Sequence, residues 1–174
     1  MCDCGRKWIK VGRRNNRRSG LNYQVEHMFL GQYHHTIDDK GRFTIPARFR
    51  EGLTTDGIYI TQGFDQNLIV LDIPIFERIT NRLNRMSITD PNARMLRRLI
   101  LSNAELIPLD KFGRILLPQF LRDLIHIDSE VVLVGVGDYF EIWSPDLWQS
   151  HKAVLRETEP SAVRFMDLDL TTSE

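Results

Sequence analysis

The feature that most constrains this chain is a sequence motif that occurs twice. The pattern D-x-x-G-R-x-x-[IL]-P-x-x-[FL]-R covers residues 38–50 and again residues 110–122, and every matched position is displaced by 72 residues. Downstream of each motif, residues 58–71 and 131–143 are also alike, although the displacement changes there by a residue or so. A segment that recurs in this way indicates a duplicated supersecondary unit. We therefore predict two copies of one β-rich unit, fused in tandem.

Each copy has the pattern of two short strands on either side of a tight turn. The D-x-x-G segment is typical of such a turn, because Gly accepts a positive φ and the Asp side chain bonds the turn backbone. Pro46 should then occupy the first position of a short helix over residues 47–52, which has its counterpart over residues 118–125. Strands are predicted over residues 33–37, 43–45, 58–61 and 68–71 in the first copy and over residues 114–117, 131–134 and 140–143 in the second.

Between the copies the apolar residues recur every three to four positions, which is the period of an amphipathic helix. Asp90 followed by Pro91 is typical of a helix start. Residues 73–102 are therefore predicted to form a helical hairpin. Its expected buried residues are Ile75, Phe76, Ile79, Leu83, Met86, Ala93, Leu96, Leu99 and Ile100. Its arginines are expected on a solvated face or in ion pairs between subunits rather than on DNA, and they are Arg78, Arg82, Arg85, Arg94, Arg97 and Arg98.

Charge and composition exclude several classes of protein. The formal net charge is zero, but residues 1–27 carry +5 and the rest of the chain −5, so global charge gives no argument for nucleic-acid binding. Residues 1–27 have no apolar period and are predicted to be a disordered basic extension. Two alternatives are a basic arm that touches nucleic acid and a start assigned upstream of the true one. Cys2 and Cys4 alone make neither a disulfide framework nor a metal site. With no apolar run of membrane or signal-peptide type, we expect a cytoplasmic protein.

Catalysis has little support in the sequence. It contains no phosphate-binding G-x-x-x-x-G-K-[ST], no H-E-x-x-H and no G-x-S-x-G motif. Gly135 and Gly137 resemble part of a nucleotide-binding fingerprint, but the third Gly is missing, and a hairpin loop is the better interpretation. His34 and His35 are adjacent in a predicted strand, so their side chains should point to opposite faces. We expect a protein that is not an enzyme and that has no metal or other cofactor.

The repeated Asp and Arg of the motif allow two interpretations. Across so short a turn, Asp38 can face Arg42, and Asp110 can face Arg114. Each pair could be a structural ion pair that fixes the turn, which composition alone favours. Alternatively, the Asp orients the Arg so that its guanidinium, with a lysine beside it, meets a phosphate or the edge of a guanine. The repeat does not decide between them, because a duplicated fold also duplicates its turns.

These same residues closely resemble the MraZ family. The resemblance runs from Met28-Phe-Leu-Gly-Gln-Tyr through both turn motifs to Glu141-Ile-Trp143, and it covers residues 28 to about 151. It implies a mainly β protein with helices (α+β), in which two SpoVT-AbrB-like repeats form a pseudo-twofold, swapped-hairpin (double-psi-like) barrel with the helical hairpin between them. The implied organisation is a first repeat over residues 28–78, a helical connector over 79–103, a second repeat over 104–150 and a flexible tail over 151–174.

The resemblance also implies a function. Members of the family are DNA-binding transcriptional regulators that form a closed ring of subunits. The ring binds short direct repeats in double-stranded DNA upstream of the division and cell-wall gene cluster that contains the family's own gene. This chain would thus be associated with the nucleoid, without a membrane or small-molecule partner. The DNA-binding residues carried over by position are Asp38, Lys40, Arg42, Asp110, Lys111 and Arg114.

Two further expectations concern how the copies would be used. Because Arg48 and Arg50 lie near the first turn in sequence, that turn is expected to be the main DNA contact. Phe29, Leu30 and Trp148 are expected to pack head-to-tail against neighbouring subunits. The alternative function is an oligomeric protein-interaction module that does not bind DNA.

Overall fold

The computed structural model describes residues 28–54 and 56–157. The predicted basic extension over residues 1–27 and the stretch 158–174 of the predicted tail lie outside the described residues. In chain order the elements are β1 (Phe29–Thr36), β2 (Arg42–Thr44), α1 (Ala47–Arg50), β3 (Ile58–Gln62), β4 (Leu68–Asp72), α2 (Ile73–Arg85), α3 (Pro91–Leu101), β5 (Glu105–Ile107), β6 (Arg114–Leu116), α4 (Gln119–Leu124), β7 (Glu130–Gly137), β8 (Phe140–Trp143) and α5 (Pro145–Glu157). The predicted α+β class is confirmed.

The strands form a six-stranded sheet and a separate two-stranded ribbon, and every pairing is antiparallel. The order in the large sheet is β1-β7-β8-β4-β3-β5, whereas β2 pairs only with β6 in the ribbon. The strands that flank the first turn therefore do not pair with each other. Strand β1 pairs with β7 and strand β2 with β6, so both find their partners in the second copy. Strand pairing thus joins the two copies into one unit.

The main core lies between the ribbon, the short helices α1 and α4 and one face of the large sheet. Phe29, Phe49 and Phe140 form its aromatic centre, with ring centroids 4.9–5.3 Å apart. Phe29 is only 3% exposed, so the expectation that it packs against a neighbouring subunit is wrong. Trp148 is half-buried, because its ring packs on Trp143 and its Nε1 donates to Gln32. Of the three residues expected at a subunit contact, Leu30 alone is exposed.

Both motif prolines precede their helices instead of starting them. Pro46 and Pro118 have extended ψ values of 140° and 147°, and the helices begin one residue later. A proline ring fixes φ but leaves ψ free, so it serves as well in the residue that caps a helix as in the first helical turn. Helix α1 also ends at Arg50, two residues before the predicted end, and α4 ends at Leu124, one residue before it.

The helical hairpin is confirmed as α2 and α3, and its apolar face packs on the outer face of the large sheet. Asp90 caps α3 by accepting a hydrogen bond from the Asn92 N–H, and Pro91 is the first helical residue, as predicted. Of the nine expected core residues, Phe76, Leu83, Ala93 and Ile100 are buried, and Ile75, Ile79, Leu96 and Leu99 are half-buried. Met86 is exposed because α2 ends before it.

Two of the hairpin arginines hold it together, which corrects the expectation of a purely solvated face. Arg97 donates to the carbonyl oxygens of Leu83, in the last turn of α2, and of Met86, the residue that follows the helix. Arg94 donates to the carbonyls of Ile88 and Thr89 in the loop between the helices. The last carbonyls of a helix have no partner within it, so a guanidinium that reaches them supplies the missing donors.

The C-terminal part of the chain is more ordered than its composition indicated. Helix α5 continues to Glu157, so residues 151–157, which the sequence assigned to a flexible tail, are helical. Gly135 and Gly137 stand at the end of β7, which makes an antiparallel hairpin with β8 as the sequence analysis favoured. His34 is exposed and His35 half-buried, as their opposite faces require.

Candidate nucleic-acid interface

The first repeated turn is closed by the side chain of Asp38. Its Oδ1 accepts hydrogen bonds from the backbone N–H groups of Lys40 and Arg42 at 3.0 and 2.9 Å. Its Oδ2 accepts from Arg42 Nε at 2.8 Å and lies 2.7 Å from Arg42 Nη2. The predicted pairing of carboxylate with guanidinium across the turn is confirmed. The Arg42 side chain remains 34% exposed, so the same arginine that closes the turn can still meet a ligand.

The second turn reproduces this geometry atom for atom. Asp110 Oδ1 accepts from the N–H groups of Phe112 and Arg114 at 2.8 and 2.9 Å, and its Oδ2 accepts from Arg114 Nε at 2.8 Å. The backbone hydrogen bonds that close the two turns also have equal lengths. In each turn the Asp N–H donates to the Arg carbonyl oxygen at 2.9 Å, and the Gly N–H donates to the Asp carbonyl oxygen at 2.8 Å. The glycines have φ values of +82° at Gly41 and +73° at Gly113, a region that a residue with a Cβ enters at a cost.

Both carboxylates are held ionised by these bonds. The hydrogen bond from the Arg42 side chain is the main cause that lowers the pKa of Asp38 to about 2. The pKa of Asp110 is also lowered, first by the Arg114 backbone N–H and then by the Arg114 side chain. In return, Asp38 raises the pKa of Arg42, and Asp110 adds to that effect across the ribbon. At neutral pH the orienting pair is therefore ionised in each turn.

The ribbon presents the two arginines on one face. Phe43 and Ile115 point into the core, so their neighbours along β2 and β6 point outward. In the register of the ribbon, Arg42 lies opposite Leu116, while Arg114 lies opposite Thr44. The two arginines are therefore diagonal neighbours on the paired strands, with backbones about 7–8 Å apart. A single exposed surface thus carries the guanidinium groups of both turns.

Each turn is also covered by an arginine of the other copy. The Arg122 guanidinium, at the end of α4, lies against Gly41, where an added Cβ would be 3.1 Å from it. The Arg50 guanidinium, at the end of α1, lies against Gly113, where a Cβ would be 2.6 Å from Nη1. Sequence reasoning did not assign Arg122 to the site, and it placed Arg50 beside the first turn. The signal was present, since the last Arg of the repeated motif occurs in both copies.

This arrangement corrects the reason for ranking the first turn above the second. Arg50 is near the first turn in sequence, but in space it belongs to the second turn. The cause is the exchange of strands between copies, which carries each short helix to the turn of the opposite copy.

The turns differ in the side chains that project from them. In the first turn the Lys40 side chain makes no hydrogen bond, ion pair or ring contact with any described residue. In the second turn Phe112 is 59% exposed, and its ring lies 5.1 Å from Lys111 Nζ and 5.1 Å from Arg114 Cζ. Where the first copy has Lys40, Thr44, Arg48 and Gly52, the second has Phe112, Leu116, Phe120 and Leu124, all four of them exposed. The second copy is thus apolar at positions where the first is polar or basic.

Other kinds of site have no counterpart among residues 28–54 and 56–157. Within those ranges no group of three or more His, Cys, Asp or Glu side chains is placed to hold a metal ion. In the same part of the chain, no helix combines the length and the apolar character needed to cross a membrane.

Comparison with known proteins gives one consistent result. Residues 28–99 and 100–166 each match the family described as "MraZ protein, putative antitoxin-like", which confirms that the unit occurs twice. A Herpetosiphon aurantiacus protein named Transcriptional regulator MraZ is 47% identical over 123 residues, or 71% of this chain and 85% of that protein. Proteins of the same name from Thermomicrobium roseum and Moorella thermoacetica are 41% and 43% identical. The first match covers 77% of this chain and 94% of the relative, and the second covers 82% and 100%.

Proposed function

The chain belongs to the MraZ family, and we propose that it is a sequence-specific DNA-binding transcriptional regulator, as the names of its relatives indicate. The observation that carries the proposal is the shared face of the ribbon, on which Arg42 and Arg114 are both aimed outward by an ionised carboxylate. A guanidinium held in this way offers a planar pair of donors, which suits a phosphate or the edge of a guanine.

The six residues of the two turns have distinct roles in this proposal. Asp38 and Asp110 orient the arginines and do not touch DNA themselves. Arg42 and Arg114 make the contacts, with Lys40 and Lys111 beside them on phosphates. Arg122 adds one positive charge to the first turn, where it lies against Gly41. Arg50 adds one to the second turn, where it lies against Gly113.

The first turn is proposed as the main contact, for a different reason from the one that sequence order provided. The Lys40 side chain makes no hydrogen bond, ion pair or ring contact with described residues and can approach a phosphate without breaking any. Lys111 and Arg114 rest on the ring of Phe112, so DNA would have to displace or cover an exposed aromatic side chain there. Both turns contribute, and the first contributes more.

A ring of subunits explains how a chain with an acidic folded part can hold DNA. One subunit offers few cations, and a few phosphate contacts give weak, salt-sensitive binding. Several subunits that engage successive direct repeats on one duplex act at a high effective concentration, which raises avidity by about 10²–10⁴. The apolar side chains exposed on the second copy, Phe112, Leu116, Phe120 and Leu124, are the kind of surface that a subunit contact buries.

The remaining parts of the proposal follow the family. The targets are direct repeats upstream of the division and cell-wall cluster, including the chain's own gene, and the protein acts in the cytoplasm at the nucleoid without cofactor or catalysis. The two copies form a swapped-hairpin barrel over residues 28–78 and 104–150, with residues 79–103 as connector. The pairing of β2 with β6 and of β1 with β7 supports that barrel, because each copy completes the other.

Binding to the DNA upstream of the gene tests the proposal. The full chain should shift a fragment that carries direct repeats about one helical turn apart, and it should shift a fragment with scrambled repeats only at much higher protein concentration. Equal affinity for both fragments would contradict sequence-specific recognition. No shift of either fragment, even at low salt, would favour the protein-interaction module instead.

A further inference from the structure

A groove of about 630 Å³ opens on the outer face of the large sheet, and neither repeated turn contributes a lining residue. One wall is the hairpin of α2 and α3, and the other is the turn between β7 and β8. Its floor and walls are mostly apolar, with Ile69, Leu71, Ile79 and Leu96 among the lining residues, and Tyr139 and Val136 stand on the β7–β8 side. Val136 is 42% exposed, so the groove leaves apolar surface open to solvent.

Two arginines on the rim of this groove have no ion-pair or hydrogen-bond partner among the described residues. Arg78 and Arg82 lie one turn apart on α2 and both line the groove. Neither forms an ion pair or a side-chain hydrogen bond with any residue in the described ranges. This distinguishes them from Arg94 and Arg97, whose donors are used within the hairpin. The groove thus combines an apolar floor with two positive charges on the α2 side, while Asp138 adds one negative charge on the β7–β8 side.

Helix α5 runs toward the side of the groove that the β7–β8 turn forms. It begins after Trp143, at the end of β8 that is remote from the β7–β8 turn. Trp148 already reaches Gln32, which is in register with Val134, so the helix runs back toward that turn. From Trp148 to Glu157 the helix advances about 13 Å in that direction. The 17 residues beyond can span up to about 56 Å when extended.

We propose that residues 163–170 of the same chain bind in this groove. Their sequence is Val-Arg-Phe-Met-Asp-Leu-Asp-Leu, in which apolar and acidic residues alternate over the last five positions. In an extended conformation Met166, Leu168 and Leu170 share one side, and Asp167 and Asp169 share the other. The apolar side fits the floor of the groove. The acidic side fits Arg78 and Arg82 at its rim.

The segment would act as a strap that covers the apolar surface between α5 and the helical hairpin. The apolar residues supply most of the affinity, since burying an aliphatic side chain removes its surface from water. The two ion pairs set the position of the strap and make its docking sensitive to salt. This inference concerns a face of the molecule that the DNA proposal does not use, so either can fail without the other.

A charge-swap experiment on the full chain tests the strap by hydrogen exchange. The groove variant is Arg78→Glu with Arg82→Glu, the segment variant is Asp167→Arg with Asp169→Arg, and the fourfold variant combines them. Exchange is followed in peptides that cover 136–140 and 163–170. We expect about two- to tenfold faster exchange in each double variant, because two exposed ion pairs become repulsive, and wild-type exchange in the fourfold variant.

The matched control is Arg85→Glu with Arg98→Glu, which reverses two exposed charges on the same hairpin outside the groove. It should leave exchange in both peptides unchanged. A mixture of the two double variants distinguishes the same chain from a neighbour: recovery in the mixture would contradict binding within one chain. Leu168→Asp provides a variant that alters no described residue, and it should speed exchange at 136–140 as well. If neither it nor the double variants differ from the control, the proposal is wrong.

Discussion

The two repeated turns share one backbone structure but differ in what they expose. Their Asp, Gly and Arg residues make the same hydrogen bonds at nearly the same distances. The positions between them differ, with Asp39-Lys40 in the first turn and Lys111-Phe112 in the second. The repeat therefore preserves the residues that build the turn, while the residues that project from it have diverged.

This divergence indicates that the two turns contribute unequally to DNA binding. The second turn has the higher formal charge, +1 against zero for the five residues. Its two cations, however, both lie at the ring of Phe112, and exposed apolar residues continue along β6 and α4. The first copy has polar or basic residues at the same positions. Formal charge alone would make the second turn the stronger DNA contact. The availability of the cations instead favours the first turn.

The largest effect is expected when both turns lose their arginine. In Arg42→Ala with Arg114→Ala, the ribbon keeps its backbone but presents no guanidinium, and specific binding to the direct repeats should fall by at least about 10²-fold. Mobility shift with the upstream fragment measures the loss. A matched control is Arg85→Ala with Arg98→Ala, which removes two exposed arginines from the helical hairpin and should bind as the wild type does.

The single variants rank the two turns. Arg42→Ala should weaken specific binding about 10- to 100-fold, the usual cost of one specific arginine contact. Arg114→Ala should cost less, because its guanidinium is already engaged with Phe112. Titration of each variant against the same fragment gives the comparison. A larger loss for Arg114→Ala would show that formal charge, and not the availability of the cation, governs binding.

The turn glycines should differ in their tolerance of a side chain. Alanine at either position must adopt a left-handed conformation, which costs about 1–2 kcal/mol. Gly41→Ala should destabilise the protein more, because its Cβ would lie 3.1 Å from the Leu117 carbonyl oxygen as well as from Arg122. At Gly113 the three nearest atoms belong to the exposed Arg50 side chain, which can move away. Thermal unfolding of both variants measures the difference, and equal melting temperatures would contradict it.

The smallest expected effect is the pH dependence of the thermal stability that the Asp38–Arg42 pair contributes. The folded-state pKa of Asp38 is about 2, below the ordinary value of 3.8, so its pairing with Arg42 stabilises the fold fully above pH 4. That contribution is lost as the pH falls through 2. The melting temperatures of wild type and Asp38→Asn should therefore differ by a constant amount from pH 8 to 5, and converge on acidification. A difference that already shrinks between pH 7 and 5 would contradict the assigned pKa.

Much of this architecture could be predicted because the signals are local. The turns, the helical hairpin and the Asp90 cap depend on residues a few positions apart, and the structure confirms each of them. The strand pattern could not show the exchange of strands, because residues 33–37 and 43–45 are as compatible with a local hairpin as with partners in the other copy. Only the resemblance to a swapped-hairpin fold implied it. For that reason sequence order places Arg50 at the wrong turn and predicts Phe29 as a surface residue.

The face that carries both turns can be tested most directly by the salt dependence of DNA binding. Affinity of the full chain for the upstream fragment is measured over a range of salt concentrations, for wild type and for Arg42→Ala with Arg114→Ala. Each lost phosphate contact should reduce the slope of log K against log salt by about 0.9. If both arginines contact phosphates, the double variant should therefore show a slope shallower by roughly two for each bound subunit. An unchanged slope and affinity in a variant that melts like the wild type would contradict the assignment of this face to DNA.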